Sequence, residues 1–140
     1  MNVVLDTNVL VSAVLSADGC PAEIVELLLS GKVKNFVTVE ILTEVEEVLK
    51  RPSILKRVSL TRITHFLAIL KSVSETVEPT LKYSVVKADP DDDKFLDCAV
   101  ISNAKIIVTG DVHLLNVQEF QGIQILTPRT FLDFFEKISD

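Results

Sequence analysis

An α/β fold built around a parallel sheet is predicted by three features of this chain. Strand-like and helix-like stretches alternate along its 140 residues, the pattern of βαβ units. The opening run Val3-Val4-Leu5 is continuously apolar, as in a strand buried on both faces. A second such run, Ile106-Ile107-Val108, lies far downstream. Both runs lead into an aspartate, Asp6 and Asp111, and in open α/β sheets the carboxyl ends of strands are where ligands bind.

The elements follow in order. The first strand is near 2–5, and a helix from about Asn8 to Leu15 is broken by Asp18-Gly19. Pro21 suits the first turn of a second helix that buries Ile24, Val25, Leu27 and Leu28, with Gly31 as its C-terminal cap. Asn35-Phe36-Val37 is a short strand. Thr38 caps a helix that carries Ile41, Leu42, Val45, Val48 and Leu49 at helical spacing and stops before Pro52. Residues 53–73 read as one or two helices with Ile63, Phe66, Leu67 and Leu70 on one face. A short strand is expected around Glu75-Thr76-Val77 and a turn over 88–93. A helix follows from Phe95 to Asn103, then a strand over 105–109, and then a short helix with Leu114 and Leu115. Ile123 to Leu126 is the last strand, and Pro128 opens a terminal helix with Phe131, Leu132 and Phe135 inward.

The length suits a single domain over 1–140, large enough to bury roughly two-thirds of its unfolded surface without a disulfide or structural metal. No apolar run approaches the ~18 residues of a membrane span, and no secretory leader is visible. Cys20 and Cys98 have no partners at zinc-ligand spacing and read as reduced thiols, so a cytoplasmic location is expected. A net charge of −6 argues against nucleic-acid binding through a broad basic surface. It is compatible with an acidic pocket neutralised by divalent cations.

Hard cations such as Mg²⁺ and Mn²⁺ take oxygen ligands, so the acids that converge matter most. Two readings are open at Asp6, an N-cap for the following helix or a ligand, and Thr7 and Asn8 beside it are capping or orienting residues. Asp111 poses the same choice. Asp89-Pro90-Asp91-Asp92-Asp93 places four carboxylates in five residues, whose mutual repulsion a cation would relieve. Asp93 stands out there because it leads directly into the apolar helix, with Asp97 one turn later on the same face. Glu40, Glu44 and Glu47 share one helix side, either as a solvated face or, for Glu44 at the border of the apolar stripe, as a ligand.

These segments together resemble the PIN-domain ribonucleases, and more closely the VapC-like toxin branch of bacteria and archaea. The matching runs are Leu5-Asp6-Thr7-Asn8-Val9-Leu10, Ile41-Leu42-Thr43-Glu44-Val45, Asp89 through Ala99, and Ile107-Val108-Thr109-Gly110-Asp111. The resemblance implies a PIN-like three-layer α/β/α sandwich with a central, mainly parallel sheet of about five strands. It implies catalytic, metal-binding acids at Asp6, Glu44, Asp93 and Asp111, with Asp97 as an outer ligand and Thr7, Asn8 and Thr109 as supports. It further implies Mg²⁺- or Mn²⁺-dependent hydrolysis of RNA phosphodiesters, a small antitoxin partner and a homodimer.

Lys50, Arg51, Lys56, Arg57 and Arg62 place five cations within thirteen residues. Of these, Lys50, Arg51 and Arg57 are the substrate-binding candidates, beside a plain reading as solvated surface. His65 reads as a structural or surface residue, and His113 as a residue near the site. Other strand-end-acid classes fit less well. A haloacid-dehalogenase-type phosphatase needs a second Asp where Asn8 stands, and a receiver domain needs an adjacent acidic pair and a late strand-end Lys. The alternative that stays open is a catalytically silent PIN-fold RNA- or protein-binding module.

Overall fold

The computed structural model describes residues 1–79 and 93–139. The predicted turn over 88–93, with Asp89, Asp91 and Asp92, lies outside the described residues apart from Asp93.

The chain runs β1 (Asn2–Leu5), α1 (Thr7–Leu15), α2 (Cys20–Leu29), β2 (Lys34–Val37), α3 (Val39–Leu49), α4 (Pro52–Leu55), α5 (Leu60–Val73) and β3 (Ser74–Thr76). After the undescribed stretch come α6 (Asp93–Ser102), β4 (Ile106–Val108), α7 (Val112–Leu115), β5 (Glu119–Phe120), β6 (Ile123–Leu126) and α8 (Pro128–Ser139). Local signals act as expected. The Thr38 hydroxyl caps α3 by accepting from the Ile41 N–H at 3.1 Å, and Pro21 sits in the first turn of α2. Gly31, at φ +77°, takes the left-handed conformation that ends α2.

The strands form one sheet in the order β3-β2-β1-β4-β6-β5. Every neighbouring pair is parallel except β5 with β6. Among the described residues the sheet has six strands where about five were expected. The extra one is β5, a two-residue edge strand joined to β6 by Gln121-Gly122, whose φ values of 50° and 81° are those of a tight hairpin turn. Two residues are too few for any periodicity to reveal.

One apolar core covers the sheet. Val3, Val4, Leu5, Ile107 and Val108 are fully buried, as parallel strands covered on both faces require. Helix α6 lies against β1, β2 and β4, and α8 packs on β6 and α2. Phe131 of α8 is fully buried, whereas Phe135 is only half-buried beside it. Among the described residues no single helix is long and apolar enough to cross a membrane.

The strand order places the site. From β1 the chain builds outward to β2 and β3 on one side, then crosses to β4 and β6 on the other. The carboxyl ends of β1 and β4 thus flank a topological switch point, the position at which open α/β sheets take ligands.

Candidate metal and catalytic site

The register Leu5↔Val108 sets the ends of β1 and β4 side by side. Asp6 follows β1 and Thr109 follows β4. The Asp6 N–H donates to the Val108 carbonyl at 2.9 Å, and the Thr109 N–H donates to Leu126 at 2.9 Å. The strand end is also braced from the far side. The β1–β2 pairing stops at Val3↔Asn35, and the buried Asn35 side chain continues it. Its Oδ1 accepts from the Leu5 N–H at 3.3 Å, and its Nδ2 donates to the Ser74 hydroxyl of β3 at 3.0 Å.

Asp6 is buried to 3% exposure and caps α1. Its Oδ2 accepts from the Thr109 hydroxyl at 2.5 Å, and its Oδ1 accepts from the Asn8 N–H at 3.4 Å. The same Thr109 oxygen accepts from the Asp111 N–H at 2.9 Å. One buried hydroxyl therefore ties both strand-end aspartates together. Asp111, half-buried, caps α7 by accepting from the His113 N–H at 2.7 Å. Each aspartate is thus a helix cap that is also tied to the other through Thr109.

Burial raises the Asp6 carboxyl above the usual aspartate range. The hydrogen bonds from Thr109 and Asn8 pull the other way, and the charges of Asp111 and Glu44 add to the rise. Asp6, Asp111 and Glu44 therefore share one electrostatic environment, although they come from β1, β4 and α3.

Glu44 is held by a residue that sequence reasoning did not single out. The Lys94 ammonium lies 2.5 Å from Glu44 Oε2, and Lys94 is itself only 7% exposed. A signal for it exists: Lys94 stands between Asp93 and the apolar run Phe95-Leu96, and a cation at so buried a position needs an acid. Asp93 and Asp97 are also buried, one turn apart on α6. Asp97 and Lys94 form part of the wall of a cleft of about 520 Å³ over the ends of β2 and β3.

The supports divide. Asn8 contributes its backbone N–H to Asp6, while its side chain is exposed. The buried Thr7 hydroxyl has no hydrogen-bond partner among the described residues. Thr109 is the residue that orients Asp6. Lys50 is exposed and paired with Glu46 at 2.9 Å, and Arg51 and Arg57 are exposed nearby. His113 and His65 have exposed side chains.

Among the described residues no three acids stand close enough to hold an ion as they are. The donor chemistry nonetheless fits a hard divalent cation. The oxygens are carboxylates, their mutual charge is unfavourable at Asp6, and an unpartnered Thr7 hydroxyl lies buried next to it.

The PIN domain family matches residues 2–113 of the chain. The chain is 32% identical to uncharacterized protein MJ1680 of Methanocaldococcus jannaschii, over 98% of this chain and 93% of that one. A solved structure with the same fold is that of VapBC2 from Rickettsia felis bound to a DNA fragment from their promoter. It matches at a TM-score of 0.60 and 16% identity, over 89% of this chain and 97% of that one.

Proposed function

The chain belongs to the PIN domain family, and from that premise we propose that it is a Mg²⁺- or Mn²⁺-dependent endoribonuclease, the toxin of a toxin–antitoxin pair. The observation that carries this reading is the pairing of Asp6 with Asp111 through Thr109 at the switch point of the sheet, within the field of Glu44. Asp6, Glu44, Asp93 and Asp111 are the acids that hold the cation, and Asp97 is an outer ligand. Bound there, a divalent ion supplies Lewis acidity that activates water and balances charge on the phosphoryl oxygens.

The chain's own residues do the positioning. Thr109 fixes the rotamer of Asp6, so that carboxylate meets its ligand without reordering. The Asn8 N–H, which Asp6 accepts in capping α1, and the brace from Asn35 hold the strand end and its carboxylate. Asp6, Asp93 and Asp97 are buried against the apolar core, which limits their access to water. Lys50, Arg51 and Arg57 are the residues offered to RNA phosphates outside the acidic centre.

The fold shared with a chain of the VapBC2 complex supports a small antitoxin as partner. A homodimer and a cytoplasmic location are part of the same proposal. The test is cleavage of a mixed RNA preparation in Mn²⁺ by protein purified free of any antitoxin. Cutting by the wild type and loss of it in Asp6→Asn is the expected result. A wild type that cuts nothing would favour a binding module instead, and an Asp6→Asn variant that cuts equally well would remove Asp6 from the catalytic set.

A further inference from the structure

A lysine ammonium is rarely buried unless an acid faces it. Lys94 is 7% exposed, and its Nζ sits 2.5 Å from Glu44 Oε2 and 4.9 Å from the centre of the Phe95 ring. Phe95 is itself buried, so the lysine stem is fixed rather than free to swing into solvent. Glu44 in turn contributes charge at Asp6. The ammonium therefore lies against Glu44, whose charge reaches Asp6, and not on the outer surface.

We propose that Lys94 is the resident cation of the acid site, holding Glu44 in place and competing with a divalent ion for its carboxylate. This rests on the reading of the acids as a metal site. A carboxylate oxygen already bonded to an ammonium is a poorer ligand for a second cation, because that bond must be given up on coordination. A fixed positive charge nearby also repels the incoming ion. Lys94 thus keeps the metal-free acids compatible with one another and makes ion binding weaker than four unopposed acids would give. It is a positioning residue that acts through Glu44.

Binding of Mn²⁺ alone to the metal-stripped full chain, measured by titration calorimetry, tests this. Lys94→Met keeps the apolar stem and removes the charge, and is expected to bind Mn²⁺ about tenfold more tightly than the wild type. Its metal-free form should unfold at a lower temperature. Lys94→Arg keeps the charge and should return both values toward wild type. Lys94→Gln retains a hydrogen-bond donor without the charge. It gives the same tightening if the Met variant does not fold. Wild-type binding with equal or weaker binding by the folded uncharged variants overturns the role of Lys94 alone. A wild type that binds no Mn²⁺ overturns the metal-site reading and this proposal with it.

Discussion

Thr109 donates its hydroxyl hydrogen to Asp6 across the β1–β4 boundary, Oγ1 to Oδ2 at 2.5 Å, joining residues 103 positions apart. Its oxygen accepts in return from the Asp111 backbone. The relationship makes Thr109 the pivot of the site. Thr109→Val keeps the shape and removes both bonds. The buried Asp6 oxygen then lacks a donor, so a stability loss of about 2 kcal/mol is expected in chemical unfolding. Weaker Mn²⁺ binding, by at least about tenfold, should accompany it, as for other residues that orient a ligand. Thr109→Ser should retain most of both, and an unchanged affinity in the valine variant would remove Thr109 from this role.

Asp6→Asn should trade activity for stability. Burial and like charges raise the Asp6 carboxyl, so between the unfolded and folded pKa values the folded state binds more protons than the unfolded one. Its contribution is present below the unfolded value and lost as pH rises through the folded one. At neutral pH the ionised carboxylate therefore strains the metal-free fold. Replacing it should raise the metal-free melting temperature by about 2–4 °C while abolishing RNA cleavage. Saturating Mn²⁺ should stabilise the wild type and not the variant, by about 2.7 kcal/mol at a hundredfold excess over Kd. A melting temperature that falls in the variant would contradict the account.

Asn35→Leu should destabilise far more than its place in a short strand suggests. The change strands the buried Leu5 N–H and removes the tie to Ser74. The expected cost is about 2–3 kcal/mol. Ser74→Ala, which leaves the Leu5 bond intact, should cost less. Equal costs in the two variants would mean that the Leu5 bond contributes nothing.

Cys98 should be silent to thiol reagents. Burial, and then the Asp97 charge, push its thiol up to about 12, while Cys20 is only partly covered. Ellman's reagent at pH 8 is expected to titrate one thiol in the native protein and both in denaturant. Two fast thiols in the native state would show that α6 opens readily.

What the sequence determined by itself is local. Val3-Val4-Leu5 and Ile106-Ile107-Val108 announce buried strands because their apolar character is continuous. Asp6, Thr38 and Asp111 announce helix starts because capping acts within three residues. Those two signals sufficed to put carboxylates at strand ends; spacing singled out Asp93 and left Glu44 open between a solvated face and a ligand, and the resemblance joined both to the pair. What only the tertiary structure decided is which distant groups meet. Periodicity records which side of an element is buried and carries no information about its neighbour. The order β3-β2-β1-β4-β6-β5, the Thr109 bond to Asp6, the reach of Asn35 across three strands and the ammonium of Lys94 on Glu44 all depend on that choice. Strand β5 stayed hidden for a related reason, since a two-residue strand exists only through the β6 edge it pairs with.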